Sequence, residues 1–296
     1  MKKKRQKLIR IIALALAILL VGGVVVGALV SALAEDAAVP ARDQYTMTME
    51  YLEDEQALRV GQRLVYVNRT GEALDRVVFN APANLFRRES ALIYENGDLD
   101  SVFPEGYAPG GIDLRTVKVN GEPADYGFIG ENEISLRVAC ALEPGESAVF
   151  EFEYYLLITR CGAFIGAGDT DVRLSAFCFI PGVYDGMYRE FIINKPIAHT
   201  RWLFSEAGDY EATIRLPEGF ALASVGTASA GEAVDGTRLW TLRAENVREF
   251  ALSFGRRYRA VEGETEAGTR VRVLASSRRA QSVLDAAIEA VSQCEA

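Results

Sequence analysis

A single histidine, His199, stands among 296 residues, and that scarcity restricts the chemistry open to the chain. Hydrolytic zinc sites take three protein ligands, usually His with a carboxylate, and keep a fourth position for water. One His and no HExxH segment cannot assemble such a site. In a loop between Pro196 and Trp202, His199 reads as a packing residue. Four cysteines, Cys140, Cys161, Cys178 and Cys294, show no CxxC spacing, and a cysteine nucleophile needs a base that His199 is not placed in sequence to supply. Export would permit a Cys161–Cys178 disulfide, and free buried thiols are the alternative.

The glycines of CGAFIGAGD (Gly162, Gly166, Gly168) could suggest a phosphate loop. They precede the strand-like run 172–180 rather than opening a helix, so the anion-binding helix N-terminus is missing and a turn with close backbone approach is expected. The acidic groups Glu53, Asp54, Glu55 and Glu262, Glu264, Glu266 read as solvated polar turns. Asn68-Arg69-Thr70 is a glycosylation sequon of a kind that often arises by chance. The inventory therefore yields no catalytic residue, no metal ligand and no cofactor for this chain.

The elements that would position a site begin with an unusual N-terminus. Lys2, Lys3, Lys4, Arg5, Lys7 and Arg10 precede residues 11–34, which carry no charge. At about 1.5 Å per residue that run reaches about 36 Å, enough to span a hydrocarbon core of about 30 Å. It is long for a signal-peptide core, which favours a retained transmembrane helix, while Ala32-Leu33-Ala34 would serve as a cleavage site if the segment were removed and the remainder secreted. The basic flank keeps the N-terminus inside, so the expectation is a single-pass cell-membrane protein with its C-terminal part extracytoplasmic. Six of the 32 Lys and Arg and none of the 41 Asp and Glu fall in this segment, leaving the remainder a net charge of about −15. An acidic surface of that kind excludes nucleic acid as a partner.

Residues 35–43 read as a linker, and order is expected from residue 44 onward. Tyr45, Met47, Met49 and Tyr51 alternate with polar residues, as do Leu58, Val60, Gln62, Leu64 and Tyr66, predicting a long hairpin around a polar turn. Further strands are predicted at Val77–Asn80, Val117–Val119 before the turn Asn120-Gly121, Ile134–Val138, Ala148–Leu156 after the turn 143–146, Tyr210–Leu216, Ala221–Val225, Leu239–Arg243 and Phe250–Phe254. Two stretches resist: 82–115, read as a short helix and a long loop, and 181–208, a second long loop. Ala280, Val283, Leu284, Ala287, Ile288 and Val291 define one apolar face of a terminal amphipathic helix, with Ser276 and Ser277 as its N-cap. The fold class is mainly β, an antiparallel β-sandwich or saddle with an N-terminal transmembrane helix and a C-terminal amphipathic helix.

Three ordered stretches carry a resemblance. YTMTMEYLEDEQALRVGQRLVYVNRTGEALDRVVFNAPANLF, through Leu58, Gly61, Tyr66, Asn68, Thr70, Gly71, Leu74, Phe79 and Asn84, resembles the opening of the N-terminal domain of the aminopeptidase N (membrane alanyl aminopeptidase) family of zinc metallopeptidases. VKVNGEP with ISLRVACALEPGESAVFEFEYYLLI resembles a later hairpin of that domain. DYEATIRLPEGFALASVGT and ENVREFALSFGRRY resemble subsequent segments through Asp209, Tyr210, Pro217, Gly226, Val247, Arg248, Phe250 and Ala251, and FIPGVYDG resembles a segment of exported bacterial members. The resemblance runs from about residue 45 to the end. It implies a β-rich N-terminal domain over 44–259 and, over 260–296, the start of a thermolysin-like catalytic domain whose GxMEN and HExxH motifs do not occur here. Zinc and peptide substrate would then belong to the complete enzyme. The terminal helix would pack against a catalytic domain of the same or a separate chain. Asp171, the acidic residue nearest before Pro181, is the one substrate-proximal candidate that the resemblance implies.

Two other readings compete. A free-standing cell-surface binding module would use an exposed aromatic patch, for which Tyr184, Tyr188, Phe191 and Trp202 are candidates. A scaffold half of a split peptidase would travel with a separate HExxH-bearing partner.

Overall fold

A computed structural model describes residues 42–89, 96–130, 133–197, 203–275 and 280–295. The N-terminal apolar run, His199, Trp202, Ser276 and Ser277 lie outside the described residues. Among the described residues no helix is long and apolar enough to cross a membrane.

In chain order the strands are β1 (Asp43–Leu52), β2 (Ala57–Val67), β3 (Leu74–Asn80), β4 (Gly111–Val119), β5 (Glu122–Pro123), β6 (Tyr126–Ile129), β7 (Ser135–Leu142), β8 (Ser147–Leu157), β9 (Ile165–Ala167) and β10 (Val172–Ser175). They continue with β11 (Ile180–Pro181), β12 (Tyr184–Asp185), β13 (Glu190–Phe191), β14 (Gly208–Pro217), β15 (Ala221–Ser224), β16 (Thr227–Val234), β17 (Thr237–Val247), β18 (Ala251–Gly255), β19 (Arg259–Glu264) and β20 (Arg270–Ala275). A 3-10 turn at Pro82–Phe86 and a short helix at Asn96–Val102 occupy the first irregular stretch, and a helix at Ala280–Glu295 follows β20. The mainly β expectation and the terminal helix hold.

The largest sheet has eight strands in the order β16-β17-β14-β1-β2-β8-β4-β5. Its two antiparallel halves are joined by one parallel ladder, Asp43 to Glu50 of β1 against Gly208 to Arg215 of β14. The antiparallel expectation holds for the other ladders, and this one parallel pairing links segments too distant for any local pattern to reveal. Tyr45, Met47 and Met49 of β1, Leu58, Val60 and Leu64 of β2, and Phe150, Phe152 and Tyr154 of β8 point inward and are buried. Two four-stranded sheets, β15-β18-β10-β9 and β11-β3-β7-β6, form the second layer. Phe79 of β3 meets Phe150 and Phe152 of β8 with ring centroids 5.0 and 5.1 Å apart. Tyr210 of β14 lies stacked between Tyr45 and Phe250, at 4.1 and 5.2 Å. Aromatic pairs of this kind add about 0.5–1.5 kcal/mol beyond the area they bury.

The turn 143–146 forms as expected, with Glu146 N–H donating to Glu143 O at 3.1 Å. It does not close a hairpin, however. β7 pairs with β3 and β6 while β8 pairs with β2 and β4, so the turn is a corner between layers. Asn120-Gly121 and Asp235-Gly236, all at positive φ, do close hairpins, β4 to β5 and β16 to β17. The expected strand through Ile180 breaks at Ser175. Ala176 turns to a φ of 51°, and Phe177, Cys178 and Phe179 pass through the interior fully buried. Glu262 and Glu264 lie on β19 rather than in a turn.

Buried amides fix these crossings. Gln62 occupies an inward position of β2, donates from Nε2 to Phe179 O at 2.6 Å and accepts from Phe179 N–H at 3.0 Å and from the Tyr154 hydroxyl at 3.3 Å. Asn84 donates to Glu133 O at 2.8 Å and accepts from Ile112 N–H at 2.9 Å. Asn68 is 1% exposed and donates to Leu142 O and Glu72 O while accepting from the Thr70 N–H and hydroxyl. A side chain so committed is a corner bolt, and the sequon is not a free glycan acceptor in the folded chain.

Candidate functional site

The chemistry-bearing residues divide by environment. All four cysteines are free, and the Cys161–Cys178 disulfide is absent. Burial pushes the Cys178 thiol up to about 12 and the Cys140 thiol to about 11. Cys161 is also raised by burial, and its S–H donates to Ile165 O at 3.3 Å. Thiols held protonated in this way are poor nucleophiles. No group of three or more His, Cys, Asp or Glu side chains among the described residues is arranged to hold a metal ion. The glycine segment behaves as expected. A Cβ on Gly166 would stand 2.5 Å from Cys161 O, and one on Gly168 would stand 2.9 Å from Asp171 Oδ1.

Asp171 sits immediately before β10, at one end of the β15-β18-β10-β9 sheet. Its carboxylate meets Arg173 Nε at 3.2 Å and accepts from the Tyr258 hydroxyl at 3.3 Å. Tyr258 also meets Ser253 Oγ at 2.7 Å, and Ser253 donates to Val172 O at 2.9 Å. Burial raises the Tyr258 hydroxyl above its ordinary range, so it remains a donor at neutral pH. Asp171 is therefore an anchored, charge-paired carboxylate. Beside it the outer face of the sheet is a shallow groove of about 570 Å³ lined by Phe164, Arg173, Ser175, Ala223, Ala251 and Ser253. Nothing in the sequence links Asp171 to Tyr258, which lies 87 residues away. Gln62, by contrast, was detectable as the one polar residue in an inward-facing apolar row.

A second cleft, of about 500 Å³, opens where the described chain begins and includes Arg42, Asp43, Tyr66, Arg69, Tyr184 and Glu206. Asp209, bonded to the cleft residues Arg42 and Asn246, accepts from Arg42 Nε at 2.8 Å, Gln44 Nε2 at 2.9 Å and Asn246 N–H at 2.8 Å. The bond from Arg42 leads in holding the Asp209 carboxyl down to about 2, against an ordinary 3.8. Asp43 behaves oppositely, because burial raises it despite its 2.7 Å pair with Arg69. Between about pH 4 and 2 the unfolded chain takes up a proton at Asp209 before the folded chain does, so Asp209 contributes stability above pH 4 that is lost as pH falls through that window. Asp209→Asn should accordingly flatten the acid limb of stability against pH by up to one proton. Denaturant titrations at stepped pH check this, and an unchanged slope would sink it.

Of the aromatic patch expected from Tyr184, Tyr188, Phe191 and Trp202, the three described residues do not form one exposed surface, and Trp202 lies outside the described residues. Phe191 is buried, and half-buried Tyr184 packs edge-on against it at 5.3 Å. Tyr188 is exposed. The terminal helix packs on the β19–β20 hairpin: Leu284 and Ala280 are buried, Ala287, Ile288 and Val291 are half-buried, and Val283 is 46% exposed. Gly263 of β19 makes room for it, since a Cβ there would stand 2.6 Å from Ile288 Cδ1.

No protein-family model and no curated protein matches the sequence. Among solved structures, the chain is similar to an M1 zinc metallopeptidase from Deinococcus radiodurans bound to a Tyr-Ser-Ala substrate, with 12% identity and a TM-score of 0.46 over 78% of this chain and 46% of that one. Another structure of M1 zinc metallopeptidase from Deinococcus radiodurans gives 11% identity and a TM-score of 0.46 over 79% and 47%. The chain thus spans just under half the length of these structures.

Proposed function

We propose that the chain is the membrane-anchored, extracytoplasmic N-terminal scaffold of an aminopeptidase-N-like zinc metallopeptidase. In this reading it is non-catalytic by itself, and zinc and peptide hydrolysis belong to a catalytic domain packed beside it. The observation that carries the reading is where the residues of the sequence resemblance fall. Several of them occupy joints of the fold rather than positions that strand alternation alone would fill. Gly61 lets β1 and β2 close, since a Cβ there would stand 2.9 Å from Thr48 Oγ1. Asn68 and Asn84 bolt corners, Asp209 gathers Arg42, Gln44 and Asn246, and Tyr210 and Phe250 stack in the core. Gly226 has a φ of 74°, and a Cβ there would lie 2.2 Å from Arg243 O. Positions with such strict physical demands are poor candidates for chance agreement in strand and turn composition.

Under the same proposal, the half-covered terminal helix and the open groove beside Asp171 supply surfaces for the catalytic domain, and residues 11–34 supply the anchor. Residues 35–296 should show no aminopeptidase activity on aminoacyl substrates with or without added zinc. Zinc-dependent hydrolysis by that polypeptide alone would overturn the reading. Recovery of a HExxH-bearing partner with the full chain would assign the catalytic domain to a separate polypeptide.

A further inference from the structure

The second long irregular stretch presents apolar side chains to solvent in a way that the scaffold role does not use. β12 and β13 form a short hairpin, Tyr184 against Phe191 and Asp185 against Glu190. At its tip Met187 is 84% and Tyr188 72% exposed. The tip is held in shape, because Asp185 Oδ1 accepts from the Met187 N–H at 2.8 Å and the Tyr188 N–H at 3.2 Å. Its base is fixed by the Tyr184–Phe191 ring contact and by an ion pair between Arg189 and Glu72. Phe204, 57% exposed, is held through its backbone: its N–H donates to Asn194 Oδ1 at 3.1 Å and its carbonyl accepts from Asn80 Nδ2 at 3.2 Å.

The location of these residues selects the occupant. Tyr184, three residues before Met187, and Glu206, two residues after Phe204, line the same cleft as Arg42, the first described residue. Residues 35–41 alone separate Arg42 from the apolar run ending at Ala34. Fully extended, that stretch reaches at most about 25 Å. In a chain anchored through residues 11–34, so short a tether limits how far Arg42 and the cleft that it lines can stand from the bilayer. Met and Tyr on a pre-ordered turn suit the interfacial layer, where Tyr places its ring among acyl chains and its hydroxyl among headgroups. The net negative charge of the exported part disfavours adsorption by attraction to anionic lipid, so contact depends on apolar insertion.

We propose that Met187 and Tyr188 at the β12–β13 tip, with Phe204 beside the shared cleft, insert into the interfacial layer of the phospholipid bilayer and dock the domain on the membrane. The proposal rests on the anchor reading. Its test uses the full chain reconstituted in phosphatidylcholine vesicles, in a Cys294→Ser background, with a nitroxide attached to Met187→Cys or, as a control on β16, to Val234→Cys. Accessibility to oxygen and to a water-soluble nickel chelate is read by power saturation, with the unlabelled positions controlled by Cys294→Ser alone.

Docking gives oxygen accessibility several-fold above nickel accessibility at 187 and the reverse at 234. Equal, water-like values at 187 and 234 in vesicles that retain the chain through alkaline carbonate overturn docking and leave the anchor standing. Low accessibility to both reagents at 187 means burial against protein, a catalytic domain or a second copy, and also overturns it. Release of the chain by carbonate refutes the anchor reading and the docking together.

Discussion

Gln62→Leu is expected to lower the unfolding free energy by roughly 2–5 kcal/mol, because it strands two buried backbone groups at once. Gln62 is the sole polar interruption of the inward face of β2, and its carboxamide pairs with both the N–H and the carbonyl of Phe179. That pairing is what allows residues 177–179 to cross the interior outside any ladder. Leucine matches the volume but offers neither donor nor acceptor, and the crossing chain has no water to turn to. The measurement is a urea titration, in which the midpoint should fall while the slope stays near that of the parent. A loss below about 1 kcal/mol would mean that the segment finds other partners, and the clamp would be unnecessary.

Phe79→Ala should cost about 3–5 kcal/mol, the range for deleting a large side chain from a core that collapses only partly. Phe79 is fully buried and touches Phe150 and Phe152, so it joins the β11-β3-β7-β6 sheet to the eight-stranded sheet across the layer boundary. Domains commonly retain only about 5–15 kcal/mol in total, which makes this one ring a sizeable share. Pairing it with Phe150→Ala in a double-mutant cycle should give a joint loss smaller than the sum, since both deletions open one cavity. Strict additivity would show that the two rings stabilise different regions.

The elements legible in the sequence were those whose evidence is local. Alternation at Tyr45–Tyr51 and Leu58–Tyr66 with a polar turn between them specifies a hairpin without reference to anything else. β16 escaped because TASAGEAV has no apolar alternation; it lies exposed at the sheet edge and owes its conformation to β17. The 143–146 turn was read correctly as a turn, but whether a turn closes a hairpin or rounds a corner depends on partners elsewhere. Phe177–Phe179 looked like a continuing strand because full burial leaves the same apolar composition in a ladder and in an unpaired crossing. The surroundings of Asp171 were similarly out of reach, since Tyr258 and Ser253 arrive from distant strands, whereas the near absence of histidine was plain from composition alone.

The parallel ladder between β1 and β14 also sets an order of events. Gln44 and the Asp209 that it holds are separated by 165 residues, so β1 waits through most of the described domain for one of its neighbours. β2 can cover one edge of β1 within a few residues, but the other edge stays open until residues 208–215 have been made. At synthesis rates of about 5–20 residues per second that interval lasts roughly 8–33 s, far longer than a hairpin takes to form. For that time Tyr45, Met47 and Met49 have only part of their final cover. The β1–β2 hairpin therefore carries an open strand edge through most of synthesis, the kind of edge that a chaperone shields.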